Sequence, residues 1–193
     1  MAGFSMWQRI RRVWQIQRTH WKLAGLDEYT NTPFYRAWGV RVGEGCRIFS
    51  KDPYGTFGSE PFLVRLGDHV TITEGVRFIT HDGGTWVFRR EDPDFDVFGP
   101  IEIKDNVFIG INTLIMPGVT VGPNAVVGAN SVVSRDVPPD SVAAGVPAKV
   151  IMSLEEYRAK KLPQKTVVRG APPAERRRIL SRLWDRGAPP DLD

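Results

Sequence analysis

Aliphatic residues open every sixth position between residues 103 and 138. A small or β-branched residue follows four positions after each of them, and turn-forming Gly, Asn, Asp and Pro stand between. The opening residues are Ile103, Ile109, Ile115, Val121, Val127 and Val133, and their followers are Val107, Thr113, Val119, Ala125, Ser131 and Val137. A period of six fits neither a 3.6-residue helix nor one long alternating strand, so it predicts very short strands joined by turns.

The repeat predicts a solenoid of stacked coils rather than an ordinary sheet. Three units of this kind close one triangular coil of about eighteen residues, whose backbone groups pair with the next coil. Each inward aliphatic contributes roughly 1.5 to 3 kcal/mol of transfer free energy, most of it offset by chain entropy. A β-sandwich of short strands is the alternative, and six unbroken units in one register disfavour it.

The same register is expected earlier in the chain, with one interruption. Val42 and Ile48 open two units, and Leu66 lies eighteen residues after Ile48, which predicts one full coil between them. From Phe78 to Ile103 the gap is twenty-five residues, which is not a multiple of six. We therefore expect an inserted loop at 82–100, ordered by its aromatic residues.

Residues 42–151 resemble the hexapeptide-repeat acyltransferases, and in particular the galactoside/maltose-type and polysaccharide-biosynthesis sugar O-acetyltransferases. The stretch 138–151 is close to the signature with which that family closes its coils. The resemblance implies a mainly β fold, a left-handed parallel β-helix, whereas the general crossover rule alone favours a right hand. We expect an N-terminal helix and connector at 1–41, the acyltransferase domain at 42–151, and a C-terminal helical extension at 152–193.

Acetyl transfer needs a base that removes the proton of the attacking hydroxyl or amine, and histidine suits this near neutral pH. Of the three histidines, His20 falls in the N-terminal helix and His69 in a turn, while His81 stands at the mouth of the inserted loop. The resembled enzymes carry their catalytic histidine at the corresponding place, which implies that His81 is the base. Its orienting acid stays open among these candidates: Asp68, Glu74, Asp82 and Asp96.

The resemblance further implies acetyl-CoA as co-substrate, without a metal, in a groove between adjacent subunits of a homotrimer. The matching donor positions are Gly110, Ile111, Ala129, Ser134, Arg135 and Lys149. Ala129 is small enough to leave room in such a groove, and Arg135 and Lys149 are cations that suit phosphate groups. Solvated turn charges are the alternative for these two cations.

The inserted loop is expected to bind the acceptor through Asp82, Trp86, Phe88 and Arg89, although simple loop packing explains these residues equally well. The predicted function is O-acetylation of a sugar hydroxyl of a surface polysaccharide or its precursor, by direct attack on the thioester. The alternatives are N-acetylation of a nucleotide-linked amino sugar, a γ-carbonic-anhydrase-like metal protein, and a non-catalytic trimeric scaffold. The metal alternative needs three imidazoles, and only His69 and His81 lie in the repeat domain.

Composition narrows the compartment and the partners. The sequence shows no stretch of about eighteen apolar residues, no secretion signal and a single cysteine, Cys46, so a cytoplasmic protein is expected. The net charge is +4, but residues 1–23 carry a surplus of five positive charges and 152–193 a surplus of four, which leaves about −5 for the body. No nucleic-acid partner is therefore expected.

A helix is predicted at 4–22, where Trp7, Trp14 and Trp21 recur every seven residues beside several arginines. Packing against the β-helix or a neighbouring subunit is the favoured interpretation of this apolar face. Peripheral contact with a membrane containing anionic lipid is the alternative.

Overall fold

The structure, a computed structural model, describes Leu23 and residues 25–185, the last two by their backbone alone. Thirteen short strands dominate the described chain. They are β1 Arg41–Val42, β2 Arg47–Ile48, β3 Val64–Leu66, β4 Thr71–Ile72, β5 Arg77–Phe78, β6 Ile101–Ile103, β7 Phe108–Ile109, β8 Leu114–Ile115, β9 Thr120–Val121, β10 Val126–Val127, β11 Val132–Val133, β12 Ser141–Gly145 and β13 Ala148–Ser153. The helices are α1 Thr32–Trp38, α2 Pro53–Phe57, α3 Leu154–Lys161 and α4 Pro173–Asp185, with 3-10 turns at Pro61–Leu63, Gly83–Phe88 and Leu162–Gln164.

Three parallel sheets form the walls of a left-handed β-helix, which confirms the predicted fold class. The first sheet contains β1, β3, β6 and β9, and the third contains β5, β8 and β11. The second sheet contains β2, β4, β7, β10 and β12, and the antiparallel β13 closes it. From β3 onward the chain passes through the first, second and third sheets in turn. Strands of successive coils pair in register, so Val126 pairs with Phe108 and Val132 with Leu114.

The core lies inside the coils, at the positions that the repeat predicts. The opening aliphatics from Ile103 to Val133 are fully buried, and the smaller residues that follow them are almost fully buried too. Aromatic side chains pack at the end where the coils begin, where the rings of Phe57 and Phe78 stack at 5.2 Å and Tyr35 is buried. Removal of this apolar surface from water is the main favourable term in the stability of the solenoid.

The first coil departs from the predicted register. Ile48 pairs with Ile72, not with Leu66, which pairs instead with Val42. The prediction of one coil between Ile48 and Leu66 is therefore wrong. Helix α2 begins after the capping carboxylate of Asp52, which accepts a hydrogen bond from Gly55, and it lengthens this coil by replacing a strand of the third sheet.

Left-handed turns join the first sheet to the second. His69, Asn106, Asn124 and Asp140 all have φ between 53° and 55°. Their side chains form a ladder along the coils: His69 Nδ1 lies 2.8 Å from Asn106 Oδ1, Asn106 donates to Asn124 at 2.8 Å, and Asn124 donates to Asp140 at 2.9 Å. The carboxylate of Asp140 only accepts, so each asparagine donates its side-chain amide N–H toward Asp140 and accepts with its oxygen from the preceding residue. Nδ1 of His69 is therefore the donor to Asn106. His69 thus has a structural role here.

The inserted loop leaves the wall after β5 and returns before β6. His81 and Phe98 form an antiparallel bridge at its base, and the N–H of Asp82 donates to Val97 O at 2.9 Å.

The described chain divides into two compact units, and the second begins at Arg158 and includes α4. The helix predicted at 4–22 and His20 lie outside the described residues. None of the described helices has the length and apolar character needed to cross a membrane.

Candidate functional site

His81 lies at the corner between the third and first sheets, because it follows β5 and precedes β6. Its Nδ1 lies 3.1 Å from Oε2 of Glu60, which also accepts a 2.8 Å hydrogen bond from the hydroxyl of Thr80. A carboxylate can only accept, so Nδ1 carries the proton in the neutral ring and Nε2 keeps its lone pair. The side chain of His81 is 46% exposed, whereas that of Glu60 is 20% exposed. The contact with Glu60 thus orients a half-exposed imidazole whose Nε2 carries the free lone pair.

None of the four acids that the sequence suggested makes this contact, so that prediction is corrected to Glu60. Asp68 accepts from the N–H of Glu44, Asp82 caps the 3-10 turn at Gly84, and Asp96 pairs with Arg89. Glu74 lies at the corner between the second and third sheets, in a different part of the coil.

The loop after His81 exposes a cluster of large apolar side chains. Trp86 is 66% exposed and Phe88 52%, while the ring of Phe98 lies 5.9 Å from that of His81. Arg89 contacts both Asp96 and the face of Trp86, and its guanidinium lies 5.8 Å from the ring centroid. Of the four predicted acceptor residues, Asp82 and Arg89 therefore hold the loop together. Trp86 and Phe88 keep large exposed areas, although the ring of Trp86 contacts Arg89 and that of Phe88 lies 5.5 Å from the ring of Phe95.

An apolar groove of about 660 Å³ runs along the second sheet and its corner with the third. It is lined by residues from five successive coils: Phe49, Thr73, Glu74, Phe108, Gly110, Ile111, Val126, Val127, Gly128, Ala129, Val142, Ala144, Ile151 and Tyr157. The predicted donor residues Gly110, Ile111 and Ala129 are among them. A long groove with mostly apolar walls suits an extended ligand whose recognition does not depend on charge.

Gly110 also has a structural reason to be glycine. A Cβ at this position would lie 2.5 Å from the backbone nitrogen of Ala129 and 2.8 Å from Val127 O in the next coil. The close approach of the coils therefore demands glycine here whether or not a ligand occupies the groove.

The other predicted donor residues lie elsewhere. Ser134 and Arg135 follow β11 and precede Val137, which bridges to the first sheet, so they stand at the corner that also carries His81. Lys149 is exposed on β13, at the closing end of the second sheet. One chain thus divides the predicted site between two corners, with the third sheet between them.

Comparison with known proteins identifies the family to which this chain belongs. A model described as bacterial transferase hexapeptide (six repeats) matches residues 100–135. Protein CapG of Staphylococcus aureus is 57% identical over 125 residues, which cover 65% of this chain and 72% of CapG. The chain belongs to the hexapeptide-repeat acetyltransferases. This confirms the family and the enzyme class that the sequence predicts.

Two further members of the family are informative. Galactoside O-acetyltransferase of Escherichia coli K12 is 33% identical over 132 residues, which cover 68% of this chain and 64% of that enzyme, slightly less than two thirds of its length. A hexapeptide-repeat acetyltransferase of Vibrio cholerae, solved in complex with acetyl coenzyme A, superposes with a TM-score of 0.51 at 28% identity. That match covers 80% of this chain and 92% of the Vibrio chain.

No group of three His, Cys, Asp or Glu side chains within the described residues is placed to hold a metal ion. His69 and His81 stand at different corners of the coil. Cys46 faces the core, where burial raises the pKa of its thiol, and its Sγ lies 3.1 Å from Gly67 O. These three side chains therefore do not form a common centre.

Proposed function

We propose that this protein is an acetyl-CoA-dependent O-acetyltransferase that acts on a sugar hydroxyl. The observation that carries the proposal is the contact between His81 and Glu60, which leaves Nε2 of a half-exposed imidazole unprotonated at the start of a loop that exposes aromatic side chains. Acetyl-CoA as the acyl donor follows from membership of the family, and the apolar groove offers the pantetheine arm a matching wall.

His81 acts as general base in the proposed reaction. Nε2 takes the proton of the acceptor hydroxyl while that oxygen attacks the thioester carbonyl carbon. Collapse of the tetrahedral intermediate breaks the C–S bond, and the imidazolium returns the proton to the leaving sulfur. Glu60 keeps the ring oriented and stabilises its positive charge while it exists.

A homotrimer is part of the proposal, because one chain does not bring base and groove together. His81 stands at one edge of the third sheet and the groove lies at the other. In a ring of three chains, the corner with His81 faces the groove of the neighbouring chain, so each pair of chains completes one site. Ser134 and Arg135, which share the corner of His81, would then meet a donor bound mainly to the neighbour.

The proposed acceptor is a sugar, such as a unit of a surface polysaccharide or its precursor. Trp86 and Phe88 expose rings of the kind that stack on the apolar face of a pyranose, and both lie in the loop that begins at His81. The name of the related galactoside O-acetyltransferase supports a hydroxyl acceptor rather than an amine.

The test combines donor binding with transfer. We expect saturable CoA binding at one site per chain, and release of free thiol from acetyl-CoA that accelerates with a sugar acceptor. His81→Ala should slow transfer by roughly 10² to 10⁴, as for loss of a general base, with unchanged CoA binding. His69→Asn is the matched control, since asparagine fits the same left-handed turn and should leave transfer unchanged. Near-normal transfer by a folded His81→Ala variant contradicts the mechanism.

A further inference from the structure

One row of groove residues changes sharply in size from coil to coil. Phe49, Thr73, Gly110 and Gly128 each follow a strand of the second sheet, and Ala144 continues their row inside β12. Backbone hydrogen bonds stack this row: the N–H of Phe49 bonds to Ile72 O at 2.9 Å, and that of Thr73 to Ile109 O at 3.3 Å. The same pattern continues from Gly110 and Gly128 to the next coils, both at 2.8 Å. Four small residues thus lead to one large ring at the end of the groove.

The height of His81 along the coils indicates where the thioester must lie. His81 belongs to the coil of β3, β4 and β5, which is also the coil of Thr73. Rotation about a threefold axis along which the coils stack leaves this height unchanged. The His81 of a neighbouring chain therefore reaches the groove less than half a strand spacing from the level of Thr73, and the carbonyl carbon that is attacked lies close to that level.

The distance from Thr73 to Phe49 then limits the acyl group. Adjacent parallel strands lie about 4.7 to 4.9 Å apart. A carbon atom packed against the ring of Phe49 lies about 3.5 to 4.0 Å from the nearest ring carbon. The methyl carbon of an acetyl group lies about 1.5 Å beyond the carbonyl carbon, which leaves about 3.3 Å to the level of the ring and brings the methyl group close to contact with it. Each further methylene would bring the acyl chain well inside the contact distance.

The ring of Phe49 is held in place by its neighbours. The guanidinium of Arg47 lies 5.7 Å from the centroid of Phe49 and at the same distance from that of Tyr29. Arg47 is fixed in turn by hydrogen bonds of 3.1 and 3.2 Å to the hydroxyl of Thr71. Phe49 is 38% exposed, so the ring is a surface feature at the groove's end and not a member of the core.

We infer that Phe49 closes the acyl end of the donor groove and restricts this enzyme to acetyl groups. The inference rests on the proposed function, because it requires an acyl-CoA in the groove with its thioester close to the level of Thr73. It assigns to Phe49 the choice between acyl donors, which is separate from the chemistry at His81.

The experiment compares acetyl-, propionyl- and butyryl-CoA with the wild-type protein and Phe49→Ala, with thiol release as the signal. Each buried methylene is worth about fourfold in a rate or binding constant, so the variant should favour butyryl-CoA over acetyl-CoA by about fifteenfold more than the wild type does. Phe62→Ala is the matched control, since Phe62 is an exposed phenylalanine (60%) on the other side of the coil, and it should not change the ratio. Phe49→Leu serves if the alanine variant does not fold, with a gain expected for propionyl-CoA.

The outcomes separate this inference from the proposed function. An unchanged ratio of butyryl to acetyl turnover in a folded Phe49 variant that still uses acetyl-CoA overturns the inference and leaves the acetyltransferase intact. A similar gain in the Phe62 control also overturns it, because the effect would then not belong to the groove. Absence of any acyl-CoA turnover or CoA binding by the wild type refutes the proposed function itself.

Discussion

Replacement of Glu60 by glutamine tests whether the carboxylate beside His81 assists the base. Glu60→Gln keeps the size of the side chain and removes its charge. Oε2 of Glu60 accepts from both His81 Nδ1, at 3.1 Å, and the hydroxyl of Thr80, at 2.8 Å. A glutamine amide can donate as well as accept, so the variant no longer selects the tautomer with a free lone pair at Nε2.

The expected size of the effect follows from the geometry. A hydrogen bond to a charged group contributes about 1.5 to 3 kcal/mol net. Because the side chain of His81 is 46% exposed, solvent screens the attraction and the lower value is appropriate. About 1.5 kcal/mol of lost transition-state stabilisation slows the reaction roughly tenfold. Loss of ring orientation adds to this, so we expect kcat to fall by about 10- to 100-fold.

Steady-state kinetics with acetyl-CoA separate this role from a general loss of structure. KM for acetyl-CoA should stay within about twofold, because Glu60 contacts His81 and Thr80 and is not among the residues that line the groove. Glu102→Gln is the matched control: Glu102 pairs with Lys104 at 2.7 Å and makes no contact with His81, and its loss should leave kcat unchanged. A kcat for Glu60→Gln within threefold of the wild type refutes the proposed role.

Three stability and reactivity tests address the scaffold. Gly110→Ala should destabilise the protein by about 1 to 3 kcal/mol in urea unfolding, since its Cβ would lie 2.5 Å from the backbone of Ala129, whereas Gly83→Ala meets open space and should be neutral. Asn106→Val should cost about 2 to 3 kcal/mol, because a β-branched residue resists its φ of 55° and the ladder loses a member, and a smaller loss for Asn106→Gly would separate the two causes. Burial raises the pKa of the Cys46 thiol, so an aromatic disulfide reagent at pH 8 should label one thiol per chain only after unfolding; rapid labelling of the native protein contradicts this.

The repeating part of the fold was predictable because its signal is local. From Ile103 to Val133 each opening aliphatic is buried where the six-residue period places it. The first coil was not predictable from the period, because Asp52 and Pro53 begin a helix of only five residues. A capping aspartate followed by proline is a recognisable signal, but it does not state how many residues the coil gains.

Sequence reasoning singled out His81 but did not find the acid that contacts it. His81 stands out because histidines are few and this one precedes a break in the period. Glu60 lies twenty-one residues before His81 in the sequence, in the lengthened first coil. No spacing rule of a regular solenoid brings those two positions together, and the acids that lie nearer to His81 in the sequence make other contacts.

The amino-acid sequence by itself determined the coil and its inward residues, because a six-residue period is a property of consecutive positions. Its resemblance to a known family implied the class of enzyme. Only the tertiary structure decided which residues share a corner. It placed Glu60 under His81, separated His81 from the groove by a whole sheet, and put Phe49 at the end of the row that contains Thr73. The physical reason is that the number of residues in each coil decides which residues of successive coils lie side by side. One short helix or loop changes that number and so changes the neighbours.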